Sequence, residues 1–193
     1  MLIAILSDSH DQIVHLRRAV QLANQAGAGC LIHCGDLISP FMLGHLQAFQ
    51  GPIHLISGNN QGDLQLIKTR CAASAGTFTH HGTQGCCRLD GLRIGFHHYP
   101  EKAHALARSG EFDLVCCGHD HIAAVQEIGD CLVVNPGDLL GKDAAPGFIL
   151  FDSLDFSVRR LTVGRPMDFE EEFASSTTYL HTTHTPGSNL VNL

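Results

Sequence analysis

Apolar and polar residues follow one another in blocks along the first third of this chain, and the blocks repeat. Leu2–Leu6 is an unbroken apolar run, too short for a core helix and the right length for a buried strand. Ile13, Leu16, Val20 and Ala23 then recur three and four apart, which puts them on one side of a helix. Asp11 stands where an N-cap belongs, and Gly27 and Gly29 where the helix should stop. Residues 30–34 form a second buried-strand run closing on Gly35-Asp36, residues 40–49 a short helix, and residues 52–57 a third strand closing on Gly58-Asn59. A further helix is predicted over 63–73.

The grammar changes after that. Residues 86–89 and 92–96 flank Asp90-Gly91, the dipeptide of a tight hairpin. A helix over 101–109 leads to a strand at 114–117, then strands at 123–128, 131–134, 148–151 and 158–163, expected to pair mainly antiparallel. Repeated strand, loop and helix units favour an α/β domain in which ligands gather at the carboxyl ends of the strands. The expected fold is α/β (α+β): a four-layer αββα sandwich of two mixed β-sheets flanked by helices. Periodicity alone does not separate that from a single mixed sheet. One domain is expected over residues 1–165. A polar tail over 166–193 is expected either to be flexible or to pack on another subunit. His181 and His184, three apart in that tail, read as ordinary polar residues rather than as ligands.

Composition narrows the function classes. With 193 residues, 44% of them hydrophobic and 16% charged, the chain can bury a full core. A net charge of −7 argues against broad binding to nucleic acid or an anionic membrane, so an anionic substrate must be attracted locally. Met1 to Leu6 is too short for a signal peptide or a spanning helix and reads as the first strand of a cytoplasmic protein. None of the eight cysteines forms a C-x-x-C pair, and most lie in strand-like runs, as reduced core thiols do. Fourteen histidines are the unusual count, and their placement carries the chemistry.

Asp8 and His10 lie two apart just after the first strand, so one carboxylate and one imidazole can reach a single ion. His119 and His121 repeat that spacing with two imidazoles after another apolar strand. Asp36 offers two oxygens that can bridge two cations, and Asn59 offers a neutral oxygen. Taken singly, Asp8 could be a cap, His10 a surface residue and Asp36 the anchor of a turn. Together Asp-x-His, Gly-Asp, Gly-Asn, a histidine ending a strand and Gly-His-x-His each follow a buried strand in one chain order. The glycine-rich loops of nucleotide motors and dehydrogenases and the G-x-S-x-G elbow of serine hydrolases are absent from the sequence.

In this order the motifs resemble the calcineurin-like metallophosphoesterase superfamily, and within it the small single-domain phosphodiesterases of bacteria and archaea. The resemblance covers residues 1–165. It implies that Asp8, His10 and His121 hold one metal, that Asn59, His119 and a strand-end histidine hold another, and that Asp36 bridges them. It also makes Asn59 and Asp36 part of the catalytic apparatus. The family spacing from Ile94 selects His98 as the strand-end ligand, and alternation agrees, because Ile94, Phe96 and His98 share a face. His97 is left as a pocket wall or substrate contact, together with Asn60. Asn135-Pro136-Gly137 and Tyr99-Pro100-Glu101 resemble family loops near the site. Larger members carry a histidine and an acidic residue after the metal-binding asparagine; Asn60 and Gln61 stand there, so leaving-group protonation has no assigned residue, with His33, His97 and Asp120 as candidates.

The implied cofactors are two divalent transition-metal ions, manganese first, with nickel, cobalt, iron or zinc also suited to imidazole, carboxylate and amide donors. Two such ions, about 3.5–4 Å apart, would hold a bridging hydroxide for in-line attack at phosphorus. Their charge exceeds that of Asp8, Asp36 and the hydroxide, leaving a positive pocket in an acidic protein. The expected substrate is a small phosphate ester, a diester by resemblance, with a phosphomonoester as the alternative. A homo-oligomer is a further expectation from the family. A non-catalytic metal-binding scaffold is the remaining alternative, because a retromer subunit resembles these enzymes.

Overall fold

A computed structural model of the chain describes residues 1–164, 178–180 and 191–192; most of the polar tail, with His181 and His184, lies outside the described residues. In chain order the elements are β1 (Leu2–Leu6), α1 (Ile13–Gln25), β2 (Cys30–His33), α2 (Met42–Leu46), β3 (Ile53–Leu55), α3 (Leu64–Ala72), β4 (Phe78–His80), β5 (Gln84–Leu89) and β6 (Leu92–His97). They continue with α4 (Pro100–Arg108), β7 (Leu114–Cys116), β8 (Ala123–Ile128), β9 (Cys131–Pro136), β10 (Gly147–Asp152), β11 (Val158–Thr162), β12 (Thr178–Leu180) and β13 (Val191–Asn192). One sheet runs β12-β11-β10-β1-β2-β3-β4 and the other β13-β8-β9-β7-β6-β5.

Strand alternation explains why two sheets must meet. Successive side chains on a strand point to opposite faces. On β1, Ala4 and Leu6 enter a core shared with α1, α2 and α3, while Ile3 and Ile5 enter a second core between the sheets. On the other sheet, Ile94, Phe96, Leu114 and Cys116 face that middle core, whereas Val115, Cys117, Cys131 and Val133 pack under Ala103 and Ala107 of α4. Both faces of each sheet are therefore covered, in the αββα order expected.

Local signals account for most boundaries. Helix α1 ends in a Schellman arrangement: Ala28 N donates to Ala23 O and Gly27 N to Asn24 O, with Gly27 at φ +76°. Asp63 caps α3 by accepting from Leu66 N at 2.9 Å. Asp90 (φ +52°) and Gly91 (φ +86°) form the turn between β5 and β6.

Two expectations are corrected, and one strand was missed. Asp11 does not cap α1; Gln12 is the cap residue, without a side-chain bond, and the Asp11 carboxylate accepts from Ser39 N at 3.1 Å and Ser39 Oγ at 2.7 Å instead. The second half is not mainly antiparallel in its centre, because β6 pairs with β7 and β7 with β9 in parallel. The short strand β4, parallel to β3, was not anticipated.

The free cysteines follow the expected pattern: Cys30, Cys34, Cys71, Cys116, Cys117 and Cys131 are buried, and Cys86 is exposed on β5. Burial pushes the thiols of Cys30 and Cys131 up to about 12. Cys87, half-buried beside Cys86, is likewise raised to about 12 by burial.

Candidate metal centre

Five strands, β1, β2, β3, β6 and β7, deliver their carboxyl ends to one region, and every candidate ligand lies just past one of those ends. Asp8 and His10 follow β1, Asp36 follows β2, Asn59 follows β3, His98 follows β6, and His119 and His121 follow β7. The loops are tied across strands by backbone bonds from Asp8 N to Gly35 O (3.1 Å) and His10 N to Asp36 O (2.8 Å).

Backbone conformation marks the site independently of residue type. Nine described non-glycine residues have φ in the left-handed region, and five of them are Asp8, His10, Asp36, His119 and His121. Such conformations cost on the order of 1–3 kcal/mol each and persist only where the surroundings impose them. Close approach imposes them here. A Cβ on Gly58 would lie 1.9 Å from Asp36 Oδ1, and one on Gly118 would lie 1.8 Å from Ser7 Oγ. Only glycine lets these loops meet.

The side chains converge into one network. Asp8, His10 and His121 bring ligand atoms within 4.8 Å of one another, as do Asp8, Asp36 and His98. Asp36 spans the two halves, with Oδ2 3.8 Å from His10 Nε2 and Oδ1 3.6 Å from His98 Nε2. Asp8 Oδ1 is 3.5 Å from His121 Nε2 and 3.9 Å from His98 Nε2. Asn59 Oδ1 stands 2.9 Å from His98 Nε2 and 2.8 Å from His119 Nδ1. Asp8 is fully buried and Asp36 almost so. Burial pushes the Asp8 carboxyl up, but the neighbouring His121, Ser7 and His98 outweigh that and hold it below the usual carboxylate range. The Asp8 carboxylate, 3.5 Å away, raises His121 against the opposing effect of burial.

This donor set fits a cation. Asp8 Oδ1 and His10 Nε2 are buried without a hydrogen-bond partner, which is costly unless something else satisfies them. His98 Nδ1 faces the Cys34 carbonyl at 2.8 Å, and a carbonyl only accepts, so in the neutral ring Nε2 presents a lone pair. That lone pair points into the oxygens of Asn59, Asp36 and Asp8, an arrangement a positive ion relieves.

The neighbouring candidates are placed differently. His97, half-buried, accepts from Tyr99 N through Nδ1 at 3.1 Å and is absent from the ligand groups above. Asn60 directs its amide groups at Asp36, with its backbone N 2.8 Å from Oδ1 and its side chain on Oδ2. Asp120 accepts from Asn135 Nδ2 at 2.8 Å, and the same amide reaches Gly118 O at 3.2 Å, so Asn135 braces the loop that carries His119 and His121. His33 is fully buried with Nε2 2.9 Å from Ser9 Oγ, out of reach of a substrate. Tyr99, which the sequence put in a loop near the site, has its ring centroid 4.4 Å from that of His119, whereas Asp138, whose Oδ2 is 3.0 Å from His121 Nδ1, escaped the sequence reading. Asp138 directly follows the Asn135-Pro136-Gly137 loop, which was the available signal.

A fold of two mixed sheets with this cluster at their carboxyl ends defines a metal-dependent phosphoesterase. The family model for the calcineurin-like phosphoesterase superfamily domain matches residues 1–155, and the chain belongs to that family. Among individual proteins, the chain is similar to the phosphodiesterase MJ0936 of Methanocaldococcus jannaschii, at 29% identity over 143 residues covering 73% of this chain and 86% of that protein. A solved structure described as a novel archaeal phosphodiesterase superposes with a TM-score of 0.79 at 27% identity, covering 84% of this chain and 99% of the other. Wild-type Vps29 of Entamoeba histolytica complexed with zinc shares the fold, with a TM-score of 0.63 at 15% identity over 100% of this chain and 99% of that one. Among the described residues, no helix is long and apolar enough to cross a membrane.

Proposed function

We propose that this chain hydrolyses a small phosphodiester using two divalent transition-metal ions, manganese first among them. The observation that carries the reading is the convergence of two buried carboxylates, four imidazoles and one amide oxygen on a region where Asp8 Oδ1 and His10 Nε2 have no hydrogen-bond partner. Asp8, His10 and His121 would hold one ion and Asn59, His98 and His119 the other, with Asp36 touching both halves. When bound, such ions supply Lewis acidity and a water of lowered pKa. The chain's own part is to fix the donors in place: Gly58 and Gly118 allow the close approach, Asn60 holds Asp36, and Cys34 O and Asn135 orient the histidine-bearing loops. Tyr99 and His97 flank the His98–His119 side and are candidates to touch the organic part of the substrate. Diester rather than monoester preference is supported by the similarity to MJ0936, a phosphodiesterase.

The test is hydrolysis of bis(p-nitrophenyl) phosphate and p-nitrophenyl phosphate by metal-stripped protein, with Mn, Ni, Co, Zn, Fe(II) and Mg restored separately. Diester cleavage restored by metal and eliminated in Asp36→Asn is the expected result. Preferential monoester cleavage makes the chain a phosphatase, and metal binding without turnover of either substrate supports a protein-binding scaffold.

A further inference from the structure

We infer that Asp138 is a positioning residue that fixes the tautomer and orientation of His121 and thereby sets the affinity of one half of the metal centre, leaving the other half nearly unaffected. The inference rests on the two-ion reading above and adds to it a residue outside the ligand set.

His121 lies between two carboxylates. Its Nε2 is 3.5 Å from Asp8 Oδ1, and its Nδ1 is 3.0 Å from Asp138 Oδ2. A carboxylate oxygen at that distance accepts, so Nδ1 carries the proton and the neutral ring turns the Nε2 lone pair towards Asp8 and His10. A carboxylate behind a metal-facing imidazole fixes the ring and raises its basicity, and losing such a partner typically weakens metal binding about 10–100-fold.

Asp138 is 1% exposed, and its Oδ1 has no hydrogen-bond partner. Its Oδ2 is shared between His121 Nδ1 and Gly141 N, the latter at 3.2 Å. A buried carboxylate with an unmet oxygen weighs against folding. A side chain present only to hold the loop would not need that charge, since Leu139 N already bonds Ser7 O (3.2 Å) and Leu140 N bonds Asp8 O (3.0 Å). The loop therefore has anchors besides the Asp138 side chain, and that carboxylate is aimed at the His121 imidazole.

The specificity follows from the network. Of the candidate ligands, His121 is the one in contact with Asp138, while His98 takes its orientation from Cys34 O and His119 shares Asn59 with His98. The effect should therefore fall on the ion held with Asp8, His10 and His121.

The experiment is a Mn(II) titration of the metal-stripped full chain, with free Mn(II) followed by its electron paramagnetic resonance signal, alongside thermal melts without metal. Wild type should bind in two steps. In Asp138→Asn, one step should weaken about 10–100-fold and the other by less than about threefold, while the metal-free melting temperature stays level or rises. Asp138→Asn placed in a His121→Gln background should add no further weakening, because Asp138 acts through His121. Equal weakening of both steps, a lowered metal-free melting temperature, additive losses in the double variant or two unchanged steps would each overturn the inference. Wild-type protein that binds no Mn(II) would sink the two-ion reading instead, a result distinguishable from all of these.

Discussion

Asp36 touches both halves of the cluster, through Oδ2 towards His10 and Oδ1 towards His98, so one isosteric change loosens both. Asp36→Asn is expected to lower metal-restored diesterase activity at least about 100-fold with the far-ultraviolet dichroism unchanged. His98→Ala should cost at least about tenfold more activity than His97→Ala, because only His98 points into the oxygens of Asp8, Asp36 and Asn59; equal losses would overturn the assignment of His98. His33 carries a pH prediction. Burial pushes its imidazole down to about 4, against about 6.5 for an unfolded chain, so the unfolded state binds the extra proton. Stability is therefore fully present above about pH 6.5 and falls as the pH drops towards 4, with about 2 kcal/mol lost by pH 5. Urea unfolding of metal-free wild type against His33→Gln at pH 7.5 and 5 measures this; an equal drop in both proteins would refute it.

At the scale of elements, the loop glycines make the sharpest prediction. Gly58→Ala puts a methyl group into the Asp36 carboxylate, so metal binding and activity should fall as far as in Asp36→Asn while both cores persist, judged by Mn(II) titration and circular dichroism. Most elements were legible from period alone: the apolar run of β1, the α1 stripe and the Asp90-Gly91 hairpin all lie where the pattern put them. What escaped was settled by distant partners. Phe78–His80 is three residues long, too short for a period, and becomes a strand only because β3 lies beside it. Asp11 looks like a cap in sequence, yet Ser39, 28 residues on, competes for its carboxylate. Parallel pairing of β6, β7 and β9 leaves no local trace, since α4 and the β8 strand supply the crossovers. The same holds at the site: ligand candidates recur at motif spacing, whereas Asp138 meets His121 across 17 residues and no spacing announces it.

For the whole molecule, metal and stability are coupled. Asp8 Oδ1 and His10 Nε2, buried without a hydrogen bond, and the strained loops belong to the folded state alone, so an ion that satisfies them stabilises the fold. Mn(II) at 100 times its dissociation constant should add about 2.7 kcal/mol, raising the melting temperature by roughly 5–10 °C, and a chelator should reverse it. A scanning-calorimetry trace indifferent to both additions would contradict the metal centre. The distribution of thiols offers a way to watch that centre. Cys86 is exposed on β5 while six other thiols are buried and the half-buried Cys87 is held protonated, so a maleimide dye has one preferred attachment point. Cys86 stands opposite Gly95, three residues before His98, about 10 Å along the strand. A fluorophore there sits within quenching range of a paramagnetic ion, so its brightness would report site occupancy in real time, molecule by molecule.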